Sequence, residues 1–235
     1  MAPLVSVVVP VLNDAPAVDR LLRHALPHPL VEMLLVDGGH DRRLEDLTSA
    51  RPDVRLLRSR PGRGCQMNVG AAAAAGAWLL FLHADSTLPA AWVEAIASVA
   101  PGVGGGWFRF ALDDAAWQAR WLERAVAWRV RLMRLPYGDQ GYFVRRERFA
   151  ALGGFDEVPL MEDVAFVRRL VKAGPVAELP LPLVTSARRW RDDGWLRRSA
   201  RNATLVSLYF AGVPPARLAR WYERKSPQKA DSTEA

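Results

Sequence analysis

The sequence predicts an α/β protein with an open, mixed, mainly parallel sheet flanked by helices. Short apolar runs at residues 5–9, 31–36, 54–57 and 78–82 alternate with segments of helical spacing. The connections between them are short, which suits a sheet covered on both faces. With 235 residues, half of them hydrophobic, the chain can bury a core without disulfide or metal staples.

The run 5–9 is continuously apolar and ends at Pro10, as a central parallel strand would. Residues 15–26 follow as a helix, with Asp14 as N-cap and Ala17, Val18, Leu21, Leu22 and Ala25 on one face. A second strand, 31–36, closes at Asp37-Gly38-Gly39. A helix at 44–50 and a third strand at 54–57 come next. Gly62 to Gly64 reads as a loop, and 67–75 as an Ala-rich helix closed by Gly76. The fourth strand, 78–82, ends at His83-Ala84-Asp85, and Pro89 opens a helix to about Val99. Right-handed crossovers would bring Asp37, the Arg63 loop and Asp85 to the same C-terminal edge of the sheet.

The second half is less regular. Strands are expected at 107–112, 142–145 and 176–179. Helices are expected at 115–135, 146–152, 164–173, 195–209 and 215–223. The long helix at 115–135 carries Trp117, Trp121, Ala125, Trp128, Leu132 and Leu135 at steps of three or four, the pattern of a buried face, with contact to an anionic membrane, shared with the region 195–222, as the alternative for its tryptophans. One domain is expected over 1–224, with a nucleotide-binding half at 1–100 and an acceptor half at 101–224. A polar tail at 225–235 completes the chain.

Composition narrows the chemistry. A single cysteine, Cys65, excludes an internal disulfide and a Cys-rich zinc site, and four histidines exclude a His-rich metal cluster. The net charge is +7, and nearly all the excess lies after Thr185, where eleven basic residues face five acidic ones. Such a region suits anionic lipid or a phosphorylated substrate. A nucleic-acid partner is not expected, because tryptophans at helical spacing read as core. The N-terminus has no basic region before its first apolar run, and no apolar stretch reaches eighteen residues. A cytoplasmic location is the expectation, with peripheral contact at the inner membrane face as a hypothesis.

Several polar groups carry candidate chemistry. Asp37 sits where a strand gives way to two glycines, so a ligand can approach the backbone. Neither a dinucleotide glycine fingerprint nor a Walker A loop is present, since Pro10-Val11-Leu12-Asn13 follows the first strand. Asp85 directly follows an apolar strand, where a carboxylate needs a partner or a cation. Mg2+ and Mn2+ take oxygen ligands and hold substrate phosphates with few protein groups. Glu162-Asp163 opens a helix, where a carboxylate can cap the turn or accept a proton from a hydroxyl. Arg63, Gln66 and Asn68 could contact a diphosphate, and Arg188-Arg189-Trp190 could offset the charge of a departing phosphate.

Taken in order, these segments resemble the family 2, GT-A type inverting glycosyltransferases. The resemblance runs from about Val5 to Tyr222. It rests on Pro10-Val11-Leu12-Asn13 after the first strand, Val36-Asp37-Gly38-Gly39, His83-Ala84-Asp85 at the place of the Asp-x-Asp motif, and Glu162-Asp163. It is closer to a small bacterial subgroup associated with radical-SAM or selenium-related gene sets. The hallmarks of that subgroup look like Arg63-Gly64-x-Gln66-Met67-Asn68, Phe81-Leu82-His83-Ala84-Asp85-Ser86, Pro136-Tyr137-Gly138-Asp139-Gln140-Gly141, Pro159-Leu160-Met161-Glu162-Asp163 and Thr185-Ser186-Ala187-Arg188-Arg189-Trp190.

The resemblance implies a UDP- or GDP-sugar donor, an acceptor that the sequence does not name, and Mg2+ or Mn2+. Asp37 would bind the nucleotide base and Asp85 the metal. Pro10, Asn13, Gly38, Gly39, Arg63, Gln66, Asn68, His83, Ala84, Arg188, Arg189 and Trp190 would surround the donor. Asp163, or else Glu162, would be the general base, and Asp139 and Gln140 would shape the sugar or acceptor pocket. Two departures stand out: His83 replaces the first acid of Asp-x-Asp, and Gly39-His40-Asp41-Arg42-Arg43 replaces a Gly-Ser-x-Asp-Gly turn. The rival readings are a nucleotidyltransferase on a similar sheet, and a non-catalytic protein that binds sugar nucleotides or a membrane surface.

Overall fold

The fold is taken from a computed structural model, which describes residues 3–25 and 27–224. Leu26 and the expected tail at 225–235 lie outside the described residues. In chain order the strands are β1 (Val5–Val11), β2 (Val31–Asp37), β3 (Val54–Arg58), β4 (Trp78–Phe81), β5 (Ser86–Thr87), β6 (Gly105–Leu112), β7 (Tyr142–Arg145) and β8 (Val176–Thr185). The helices are α1 (Ala15–His24), α2 (Arg43–Ser49), α3 (Arg63–Ala73), α4 (Trp92–Ala97), α5 (Trp117–Met133), α6 (Arg146–Ala151), α7 (Glu162–Lys172), α8 (Arg188–Asp193), α9 (Trp195–Phe210) and α10 (Pro215–Arg224). No helix among the described residues is long and apolar enough to cross a membrane.

All eight strands join one sheet in the order β3-β2-β1-β4-β7-β6-β8-β5. The β3-β2-β1-β4 block is parallel, β7 runs antiparallel to β4 and β6, and β8 is parallel to β6. This direction pattern places the site. The ends of β1, β2, β4, β6 and β8 and the start of β7 all lie on one edge, so the segments attached there meet. Alternation along β1 splits the core between two faces. Val8 points to the layer of Met67, Phe81 and Phe166, while Val5, Val7, Val9 and Val11 point to the layer of Val18, Leu44 and Ile96. In the first layer, Phe81, Phe149, Phe155 and Phe166 pack with ring centroids 4.5–5.5 Å apart, anchoring α6 and α7 to β4.

Four expectations are corrected. Gly62 to Gly64 is not a loop, because α3 already begins at Arg63. Gly64 is helical, and it lacks a side chain because a Cβ there would lie 2.4 Å from the Asp156 carbonyl oxygen. Strand β8 runs on past Leu179 through Pro180 and Pro182. A register shift opposite Phe108 and Arg109 absorbs the prolines as a bulge. Arg188-Arg189-Trp190 is the first turn of α8, a helix absent from the elements expected from the sequence.

The fourth correction concerns α5. Its buried residues are Ala119, Val126 and Val130, whereas Trp117, Trp121 and Trp128 are 73%, 55% and 61% exposed. At about 100° per residue the two sets lie on opposite sides of the helix. The helix therefore has two apolar stripes, and the small and β-branched one faces the sheet, while the tryptophan stripe faces out.

Helix α3 approaches β1 through Gly70, where a Cβ would lie 2.3 Å from Val8 Cγ1 and 3.0 Å from Val36 Cγ2. Gly70→Ala should cost about 1–3 kcal/mol by overpacking, despite the better helix propensity of alanine. Urea unfolding monitored by circular dichroism measures this, and an unchanged midpoint would contradict the close packing.

Candidate active site

The cleft forms at the sheet edge where β4, β7 and β8 bring their loops under the start of α7. A cavity of about 210 Å3 is lined there by Arg63, His83, Asp85, Asp139, Glu162 and Asp163, with Arg189 and Trp190 on its rim. Met161 adopts a left-handed conformation (φ 70°) immediately before α7. That turn places Glu162 and Asp163 in the first helical turn, where backbone N–H groups favour negative charge.

The two acids differ in setting. Glu162 is 4% exposed and lies 3.4 Å from the Arg63 guanidinium. Burial raises its pKa, Arg63 opposes that, and neighbouring Asp163 adds to it. Asp163 is half-buried and fixed by two backbone donors: Gly138 N–H donates to Oδ2 at 2.9 Å, and Val164 N–H donates to Oδ1 at 2.8 Å. Each oxygen keeps a free lone pair for a further donor.

Arg63 and His83 lie deep in the cleft although 42% and 20% of their side chains remain accessible. Arg63 Nη2 meets His83 Nε2, and a Cβ on Gly138 would lie 2.9 Å from both atoms and 3.3 Å from Asp163 Oδ2. The lack of a side chain at Gly138 thus lets these three groups converge. Desolvation, then Arg63 and Arg189, hold the His83 pKa well below its ordinary value, so the imidazole is neutral. His83 Nδ1 stands 3.9 Å from Asp85 Oδ1.

Asp139 is the most strained charge in the cleft. Its Oδ1 is buried and has no hydrogen-bond partner among the described residues. Desolvation raises its pKa to about 6, with Asp163 and Asp85 adding to the rise while Arg129 and Arg63 oppose it. Arg129 stacks 3.5 Å over the Tyr137 ring beside it.

Other expected site residues hold backbone. Asp37 is fully buried. Its Oδ1 accepts from Gly39 N–H at 2.7 Å, and its Oδ2 accepts from Asp41 N–H at 2.9 Å and from the Arg58 guanidinium. Its carboxylate is therefore spent on the turn after β2 and does not line the cavity with Arg63 and Asp85. Gln66 is 1% exposed and donates to Val11 O at 2.6 Å and Val36 O at 2.8 Å, tying β1 to β2. Asn68 clamps both backbone groups of Phe155 at 2.9 Å. Gln140, likewise buried, donates to Phe108 O at 3.1 Å.

The remaining expected residues are distributed around the cleft. Pro10 lies behind it, beside Arg63 and His83. Asn13, with φ 52°, packs on Gly39, where a Cβ would come 2.2 Å from Asn13 Oδ1. Gly38 is similarly close to Pro61 and Gln66. Ala84 packs against the second core layer, and Arg188 Nη2 stands 3.8 Å from Asp14.

Four contributors went unseen in the sequence. Arg58 reaches Asp37 only because parallel register sets the two residues side by side on β3 and β2. Arg129 acts through the Tyr137 ring. Arg198 and Asn202 line the cavity from α9. Their i, i+4 spacing on one face was a legible signal.

The acids and His83 permit a metal but do not cage one. No group of three or more His, Cys, Asp or Glu side chains among the described residues is arranged to hold an ion. Asp85, with His83 beside it, fits a Mg2+ or Mn2+ ion that takes its other ligands from a diphosphate.

The Asp139 setting fixes a pH dependence. Its folded pKa of about 6 lies above the ordinary 3.8, so the folded state holds the extra proton between those values. The destabilisation is therefore absent below about pH 4 and complete above about pH 6. Asp139→Asn should stabilise the fold by about 1–3 kcal/mol at pH 8 and change little at pH 3.5. Thermal melting across that range checks this.

Comparison with known proteins bears on this geometry. Residues 6–102 match the model of glycosyl transferase family 2. Uncharacterized protein MT1568 of Mycobacterium tuberculosis is 31% identical over 129 residues, which cover 51% of this chain and 40% of that protein. Among solved structures, the mannosyltransferase PcManGT from Pyrobaculum calidifontis, in complex with GDP-Man and Mn2+, superposes with a TM-score of 0.60 at 20% identity. That match covers 78% of this chain and 57% of the other. S. aureus TarS (residues 1–349), in complex with UDP-GlcNAc, gives 0.59 at 16% identity, covering 77% and 58%. The chain thus spans less than two thirds of the length of each relative. Residues 6–102 carry the sequence pattern of glycosyl transferase family 2, and over about three quarters of its length the chain has the GT-A fold of its glycosyltransferase neighbours.

Proposed function

We propose that this protein is an inverting glycosyltransferase that moves a sugar from a nucleoside-diphosphate sugar to an acceptor hydroxyl. The observation that carries the reading is the position of Asp163. It is a half-buried carboxylate, oriented by two backbone donors, in one cavity with Asp85 and Arg63. The family match over the first half and the GT-A fold support it. The order of motifs across residues 63–190 favours the small bacterial subgroup named above. The bound GDP-Man and UDP-GlcNAc of the structural neighbours support a GDP- or UDP-sugar donor.

The nucleoside would rest on the first half of the chain, against the turn after β2, where Gly39 packs on Asn13 and Gly38 on Pro61 and Gln66. Asp37 would act there by holding the turn. The diphosphate would lie toward Asp85, Arg63 and Arg189. A divalent cation held by Asp85 together with the diphosphate would offset the charge of the leaving group. The Mn2+ in the mannosyltransferase complex supports that choice of ion. The acceptor would enter from the second half, past Tyr137 and Asp139.

The reaction is a single displacement. The acceptor oxygen attacks the anomeric carbon on the face opposite the diphosphate. The bond from that carbon to the phosphate oxygen breaks, and its electron pair leaves with the nucleoside diphosphate. The hydroxyl proton passes to Asp163. Glu162 is less suited to that role, since it is nearly inaccessible and paired with Arg63. It would instead keep Arg63 in place.

Release of nucleoside diphosphate from a panel of UDP- and GDP-sugars, with and without Mn2+, tests the activity. With an active donor, Asp163→Asn should lower kcat by about 10²–10⁴-fold at nearly constant donor KM. Normal turnover in that variant would remove Asp163 as the base. Asp85→Asn should lower turnover at least about tenfold and raise the Mn2+ concentration needed for half-activity. Metal titration of initial rates checks this.

A further inference from the structure

The outward stripe of α5 is an exposed apolar surface that the proposed reaction does not use. Besides the three tryptophans, Leu132 is 73% exposed, and Leu196 at the start of α9 is 78% exposed. Isolated exposed apolar residues are ordinary, but five large ones on two adjacent helices form a patch. Arginines border it. Arg124, Arg131, Arg134 and Arg197 are exposed, and none has a carboxylate partner among the described residues. Arg131 lies 5.9 Å from the Trp128 ring. Tryptophan beside unpaired arginine is the chemistry of a membrane interface: the indole sits at headgroup level and each cation adds about 1 kcal/mol near an anionic leaflet.

The patch also opens inward. Between α5 and the start of α9 lies a cavity of about 480 Å3, lined by Trp117, Trp121, Leu122, Trp195 and Leu196. A second cavity of about 430 Å3 shares Trp121, Leu122 and Leu196 with the first, and runs over Phe110, Ala125 and Val126. It ends at Tyr137, Asp139 and Trp190, which also line the catalytic cavity. A mostly apolar furrow thus leads from the tryptophan patch to the carboxylates. From Trp117 to Arg129 it follows α5 for roughly 18 Å, at 1.5 Å rise per residue.

We propose that the α5–α9 face rests on an anionic lipid surface, and that the furrow seats the apolar stem of a membrane-borne acceptor whose polar end reaches Asp139 and Asp163. The part concerning the acceptor rests on the glycosyltransferase reading. Contact with the lipid surface does not. The arginine border supplies the charge complementarity, and the furrow explains why an apolar surface is continuous with a charged site.

Flotation with phosphatidylcholine vesicles, with and without 30% phosphatidylglycerol, tests the surface in the absence of any donor. Binding is expected to the anionic vesicles only, to weaken at high salt, and to fall at least tenfold in a Trp121→Ser, Trp128→Ser double variant. Absence of binding at low salt would overturn the proposal. So would a dimer, seen by light scattering, that the same variant dissociates, because the patch would then be covered by a second copy. Calorimetric titration with dodecyl phosphate and butyl phosphate tests the furrow. The longer chain should bind at least tenfold more tightly, and Ala125→Trp, which plugs the furrow, should remove that difference while keeping vesicle flotation. Equal binding of the two phosphates would overturn the acceptor assignment. UDP and GDP titrations with Mn2+ on the same variants report separately on the donor site, so failure of the lipid proposal is distinguishable from failure of the glycosyltransferase reading.

Discussion

The Arg63 guanidinium, set between Glu162 and His83 beneath Gly138, is the contact on which the cleft depends. It joins the start of α3, the loop after β4, the turn before β7 and the start of α7. Glu162 tolerates near-complete burial because a cation stands beside it. A buried charge left without its partner is strongly destabilising. The same cation adds to burial in lowering the His83 pKa. One residue therefore fixes a backbone junction and bears on the charge of two neighbours. The sheet supplies the junction, because its mixed strand directions bring those segments to one edge.

Around that contact the carboxylates are set apart by environment. Glu162 is paired, Asp163 is held by backbone donors, and Asp139 has an oxygen with no donor among the described residues. Such separation lets acids of similar intrinsic strength take different roles in one cavity. Asp37 belongs to a different layer of the design. Its buried charge is consumed by two backbone N–H groups and Arg58, which together fix the turn after β2. Gln66 and Asn68 act similarly, spanning β1 to β2 and α3 to the turn before α7. Much of the polar motif content of the first half thus shapes the backbone on which a ligand would rest.

Helix α5 links the cleft to the outer surface. Its inner stripe of Ala119, Val126 and Val130 packs on the sheet, its Arg129 supports Tyr137 at the site, and its outer stripe carries the tryptophans. A helix with apolar residues on opposite sides has two surfaces to satisfy, and the sheet satisfies only one.

By itself the sequence determined the α/β class, the places of the first four strands along the chain, the N-cap at Asp14, which accepts from Ala17 N–H at 3.2 Å, and strand β7 to the residue. These depend on local patterns: apolar runs, capping chemistry and short connections. It also picked out Arg63, His83, Asp85, Asp139, Glu162 and Asp163, which share one cavity: Asp85 and the Glu162-Asp163 pair because a carboxylate directly after an apolar strand or at a helix start stands out in a linear reading, Arg63 beside its glycines, and His83 and Asp139 through the family resemblance. The tertiary structure alone decided the rest. Whether Asp37 faces a ligand or a turn depends on Arg58, brought beside it by strand register. Whether Gly64 makes a loop or a close contact depends on Asp156, far along the chain. Which stripe of α5 is buried depends on the shape of the sheet beneath it: periodicity reports that a helix has an apolar face, and only packing selects which face is covered.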